Sequence, residues 1–228
     1  NGNKNLLPHH RLGTPAEGGD QFSDNGFKRR LERRVMSCFR AVFPLLGPVR
    51  SVLARPLKMA GTAVFGDTNT DTVRSGNWYG NDTAWRMVID LNRSLLYADA
   101  SGHLLSEPKR RMLCLVDAIV GGEGNGPMDP EPRPMGMVVG GLNPVAVETV
   151  CARLMGFDHR RLPILSHAFV DEAELPLVRF EADEIECHSN APEFDRLLRE
   201  LGPPAVPFRA HFGWQGHIEL NGRIPVAR

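Results

Sequence analysis

With 228 residues, 42% of them hydrophobic, the chain is long enough to bury a core as one domain or two small ones, which excludes disorder as its default state. Its 27 basic and 27 acidic side chains cancel, so overall charge gives no support to a nucleic-acid partner. Cys38, Cys114, Cys151 and Cys187 stand far apart without metal-ligand spacing and read as reduced thiols, and no apolar run is long enough to span a membrane. The opening residues lack the basic and apolar regions of a secretion signal, so the expectation is a cytoplasmic protein.

Residues 1–26 are rich in Gly, Pro, Asn and Asp, contain the pair His9-His10, and read as loop. Because motif-like polar sequence begins at Asn1, the expectation is an incomplete domain whose upstream half is missing. Its sheet should then show an unpaired edge or an uncovered apolar face. A basic helical insertion follows at about 27–62. Phe27, Leu31, Val35, Phe39, Phe43 and Leu46 recur at helical spacing between Arg29, Arg30, Arg33, Arg34 and Arg40, until Pro44 and Gly47-Pro48 end or kink the helix. The expectation is a helix packed on its own domain, with peripheral contact to an anionic membrane or a partner helix as alternatives.

Residues 81–97 are predicted helical, with Asn81 or Asp82 as N-cap. Trp85, Val88, Ile89, Asn92 and Leu96 form one stripe, with Asn92 pointing into the core to bond a neighbouring loop. Asp82, Arg86, Asp90, Arg93 and Tyr97 lie on its flank. "MLCLVDAIV" and "MGMVVGGL" read as buried strands joined by the loop "GGEGNGPMDPEPRP". A helix then starts at Asn143-Pro144 and stops at Gly156, with Val147, Val150, Cys151 and Leu154 facing the core. Residues 159–228 suggest a short helix at 164–169, strands within 175–188 and a helix at 193–200. The fold class expected is α/β, with a mixed or mostly parallel sheet flanked by helices.

Asp117 lies among hydrophobes, where an ionised carboxylate needs a partner, a hydrogen bond or a metal. The glycines around Glu123 would let a ligand approach backbone N–H groups, but neither a Walker loop nor a dinucleotide fingerprint is present. A tight turn in which Asp117 bonds the loop amides is an equal reading of the same residues. The N-terminus after Asn143 offers a second anion-binding position, and Glu148 close to it either complements the helix dipole or binds a divalent cation.

The stretches "NKNLLPHHRLGTPAEGGD", "GNDTAWRMVIDLNRSLLYAD", "VDAIVGGEGNGPMDPEPRP" and "GGLNPVAVETVCARLMGFD" together resemble the bacterial and archaeal family numbered 362 among the domains of unknown function, over about residues 1–170. Residues 171–228 are then a C-terminal extension. The resemblance implies an α/β fold and marks His9, His10, Asp90, Asn92, Arg93, Asp99, Asp117, Glu123, Asn125, Asn143 and Pro144 as family-pattern positions. Glu148 stands where Asp is more usual. Some relatives carry iron-sulfur modules, but the cysteines here form no cluster, so no iron-sulfur centre is expected in this chain.

Two functional readings follow. In the first, the chain is a metal-dependent enzyme acting on a phosphorylated or carboxylated small molecule. Asp117, Glu123, Glu148 and Asp90 would hold Mg²⁺, Mn²⁺ or Ca²⁺; Asp117, Glu123, Arg93 and His10 would act in catalysis; Gly122, Gly124, Asn125 and Asn143 would bind the ligand. In the second, it is a non-catalytic binding or redox-accessory domain that docks a partner or an iron-sulfur subunit. The enzyme requires Asp117 and Glu123 to converge in a cleft, whereas docking requires exposed apolar groups around residues 122–134.

Overall fold

The structure, a computed structural model, describes residues 76–127, 129–170 and 174–220, with Leu31, Arg34 and Val35 of the basic segment. Helix α1 spans Ala84–Tyr97. The buried Asn81 carboxamide starts it, accepting from the Thr83 and Ala84 N–H groups at 2.9 and 3.0 Å and donating to the Gly76 carbonyl at 2.6 Å. Asp82 instead pairs with Arg86 one turn on. The Arg110 guanidinium closes the other end by donating to the Leu95 and Ala98 carbonyls at 2.7 and 2.6 Å. Two side chains depart from the expected wheel. Half-buried Asn92 donates to the Val88 carbonyl of its own helix at 2.8 Å, a cheaper partner than a distant loop. Tyr97, expected on the polar flank, is fully buried, and its hydroxyl donates to the Pro176 carbonyl at 2.6 Å.

Strands β1, Cys114–Asn125, and β2, Asp129–Gly141, form an antiparallel hairpin. Both expected strands are there, but most of the connector expected as loop is strand too, with Gly122 opposite Pro132 and Gly124 opposite Pro130. Prolines are tolerated because β2 is an edge strand. A mixed α/β composition is therefore observed, but both sheets among the described residues are two-stranded and antiparallel. The hairpin turn allows only that pairing, since parallel neighbours need a crossover of a dozen or more residues.

The register slips between Ala118 and Val120, where Met135 and Gly136 on β2 face Ile119 alone. Gly136 has φ 66°, the left-handed backbone such a bulge uses. The slip exchanges the faces of β1: Val116 and Ala118 turn inward before it, Gly121 and Glu123 after it.

Helix α2, Pro144–Met155, has the predicted bounds. Asn143 accepts from the Val145 and Ala146 N–H groups, and Gly156 ends the helix at φ 84°, where a Cβ would meet Pro207 at 2.6 Å. Its buried residues are Val145, Val147, Thr149 and Ala152, while Val150 packs on a smaller cluster of Ile185, Leu198 and Leu201. Both flanks of α2 are thus covered, which a single-stripe reading does not anticipate. The C-terminal part contributes a short helix α3, Pro163–Ser166, and the strand pair β3, Glu186–Cys187, and β4, Arg196–Leu197. In place of the helix expected at 193–200, β4 runs into one 3-10 turn at Leu198–Glu200, because the Leu198 N–H bonds the Ile185 carbonyl across the pair. Leu177, Phe208, Ala210 and Ile218 share one core with Ile89, Val145, Ala152 and Phe157.

Candidate docking surface

The two carboxylates on which a metal centre depends are on opposite faces of β1. Asp117 precedes the bulge and is exposed on the outer face, opposite Val138, where its Oδ1 accepts the Ile119 N–H at 3.0 Å. Glu123 follows the bulge and turns inward. One of its oxygens accepts the Arg209 backbone N–H at 3.1 Å and the Arg133 guanidinium at 3.3 Å. Arg133 also donates to the Val206 carbonyl at 2.7 Å and lies 5.2 Å from the centre of the Phe208 ring. Gly124 adds an N–H bond of 2.8 Å to the Arg209 carbonyl. Glu123 is therefore a latch between the hairpin and residues 206–209, and the exchange of faces at the bulge puts it on the opposite side of β1 from Asp117, with which it was expected to converge.

The other candidates carry similar duties. Gly124 is required by its left-handed backbone, φ 76°, which a side chain would strain, and it lies beside the Arg209 guanidinium. Gly122 and Asn125 are exposed near the turn. Asn143, besides capping α2, donates to the Leu177 carbonyl at 3.0 Å; Arg93 donates to the Leu175 carbonyl at 3.0 Å and Tyr97 to that of Pro176. Three side chains that reading the sequence treats as ligands or flank thus clamp three consecutive carbonyls. Asp90 is half-buried on α1. Glu148 is exposed on α2, and the partial desolvation it meets there raises its carboxyl; burial, then the Glu148 charge, push the Cys151 thiol to about 11, so it is inert at neutral pH. Among the described residues no group of three or more His, Cys, Asp or Glu is placed to hold a metal ion. His9 and His10 lie outside the described residues.

The outer face of the hairpin is of another kind. Leu113, Leu115, Ile119, Val120, Val138 and Leu142 are each between 56% and 76% exposed. Val120 pairs with exposed Pro134, Gly122 with exposed Pro132, and Leu115 with exposed Gly140, so the surface is apolar along its length with Asp117 as its charge. The inner face is covered: Met135 packs on the core, Gly121 approaches Phe208 and Gly141 approaches Val147. The sequence carries a signal for this. Residues 113–120 are apolar at odd and even positions alike apart from Asp117, the pattern of a strand buried on both faces. The fold covers one face only. The expectation of exposed apolar groups at 122–134 is met partly, by the prolines, and the larger groups lie to either side.

A family model described as domain of unknown function (DUF362) matches residues 24–153, more than half of the chain. The matched span starts beyond His9-His10 and contains α1, the hairpin and nearly all of α2. No curated protein and no solved structure matches the chain significantly.

Proposed function

We propose that this chain, which belongs to the DUF362 family, is a binding domain whose hairpin docks a protein partner, and that the partner meets it with an apolar surface flanked by basic groups. The observation that carries this reading is the outer face: six large apolar side chains open to solvent on one side of a hairpin whose other side is packed. Contiguous exposed apolar surface of this kind marks interaction sites. Full burial of such side chains is worth about 1.5–3 kcal/mol each. Association costs offset much of that, so the face suits a moderate, reversible complex. Asp117 gives it a charge preference, and the prolines remove N–H donors from β2, which favours packing onto the face over pairing along that edge.

The same reading puts the chain in the cytoplasm, supported by the unpaired thiols of Cys114, Cys151 and Cys187. No helix among the described residues is long and apolar enough to cross a membrane. A metal-dependent enzyme would need the Asp117 carboxylate as a ligand. Manganese titration of wild type and Asp117→Asn is expected to give equal uptake; a loss of uptake in Asp117→Asn would restore the metal reading.

The docking test places the photoreactive residue benzoyl-phenylalanine at position 115 or 138, with the exposed Leu104 and Val206 as controls, in cells producing the full chain. Adducts to another protein are expected from 115 and 138 well above the controls, and Val138→Lys should abolish those from 115. Yields at 115 and 138 no higher than at the controls would reject a docking face.

A further inference from the structure

The outer face of the hairpin carries its charges in a fixed order. Exposure alternates residue by residue from Arg111 to Ile119, so Arg111, Leu113, Leu115 and Asp117 follow one another along one side of β1 and the segment leading into it. Among the described residues neither charge is in an ion pair. Asp117 accepts the Ile119 N–H beside it, and the Arg111 side chain has no partner, whereas neighbouring Arg110 is held by the α1 carbonyls. The row therefore reads cation, leucine, leucine, anion, which is complementary to itself when reversed. We propose that the partner of the hairpin face is a second copy of this chain, stacked on it face to face about a two-fold axis that runs across the strands. The inference rests on the docking reading and names its partner.

In that arrangement β1 of one copy runs antiparallel over β1 of the other, with Cys114 at the axis. Arg111 then faces Asp117 of the second copy at both ends, and Leu113 faces Leu115 between them. Stacked sheets lie about 10 Å apart, a gap that an arginine and an aspartate reach across together. On β2, Gly140 lies opposite Leu115 and exposed Leu142 follows two residues on, so Leu142 of each copy comes over the side-chain-free Gly140 of the other. Like charges are kept apart. The two Arg111 side chains are about 20 Å from each other along the strands, beyond the screening length of about 10 Å at 0.1 M salt, and the two Lys109 are farther still. A parallel stack would instead set Asp117 on Asp117 and Arg111 on Arg111, so charge fixes the direction while the leucines supply the attraction. Mutual cover of six side chains, each with roughly 100 Å² open, buries about 1,000 Å² over both copies, the lower limit of a specific interface. The complex is therefore reversible, and the chain is expected to be monomeric at about 1 µM.

Sedimentation velocity on the purified full chain tests this from about 1 to about 300 µM, the range in which an interface of this size associates. Wild type is expected to pass from monomer to dimer across that range. Arg111→Asp and Asp117→Arg, both at exposed positions, should each weaken the dimer about tenfold or more, because each sets like charges against one another at both ends. An equimolar mixture of the two variants should recover the wild-type association as a heterodimer, since every end then pairs opposite charges. That recovery also shows both variants to be folded. Wild type that stays monomeric at about 300 µM would overturn the inference. So would a dimer that both variants leave unchanged, which would place the contact on another surface, and so would loss of association in the variants without recovery in the mixture. Adducts from position 115 to a different protein in cells, with the purified chain monomeric, would overturn the second copy and leave the docking face standing; a monomeric chain with no adducts in cells would remove the docking reading itself.

Discussion

Tyr97→Ala is expected to lower the unfolding free energy by about 3–5 kcal/mol, the range for deleting a buried aromatic ring. The ring is fully buried at the last turn of α1, and its hydroxyl holds the Pro176 carbonyl between the carbonyls that Arg93 and Asn143 hold. Loss of Tyr97 opens a cavity and strands one member of that clamp. Tyr97→Phe keeps the ring and should cost only about 1–2 kcal/mol, the penalty of one unmade hydrogen bond. Urea denaturation followed by tryptophan fluorescence measures both, since Trp85 and Trp214 pack against the core. Near-equal losses in the two variants would place the stabilisation in the hydroxyl rather than in the ring.

The second large effect is at Glu123. Glu123→Ala removes the acceptor of both the Arg209 N–H and the Arg133 guanidinium, and should cost about 3 kcal/mol, because two bonds to a charged group are lost and the half-buried Arg133 loses its counter-charge while keeping the Val206 carbonyl. Glu123→Gln retains an acceptor for Arg209 and should recover about half of that loss. A metal ligand would behave in the opposite way: Glu123→Ala would abolish metal uptake and leave folding stability nearly unchanged. Parallel denaturation and manganese titration separate the two roles.

The difference between Glu123 as ligand and Glu123 as latch shows how far the sequence reaches. Local chemistry was legible: Asn143, Pro144 and Gly156 bound α2 through side-chain capping, a missing N–H and a left-handed backbone, all of which act within a few residues. Asn81 was found by the same logic. The bulge was not legible. Reading "GGEGNGP" as a loop follows from its glycines, yet pairing with β2 overrides that preference, and the slip beside Ile119 decides which carboxylate turns inward. The roles of Arg133 and Arg209 are illegible in the sequence for a related reason. Each acts on a group far away in sequence, Arg133 on the Val206 carbonyl and Arg209 on Glu123, and no local pattern announces such contacts. Tyr97 was misplaced because a helical wheel assigns one buried stripe, whereas the segment at 175–177 covers the α1 flank as well. The outer hairpin face was visible in outline. Apolar residues at both parities said that β1 has two faces to cover, and the fold covers one.

The claim on which the account rests, that this open face lies outside the folding core, is tested most directly by the denaturation midpoint of a Leu115→Lys, Val138→Lys double variant of the full chain. Because both side chains already meet solvent, its unfolding free energy should lie within about 1 kcal/mol of wild type, as for ordinary surface substitutions. A loss of about 4 kcal/mol or more, the scale of charges forced into a core, would show that the face is buried in the folded chain and contradict the account.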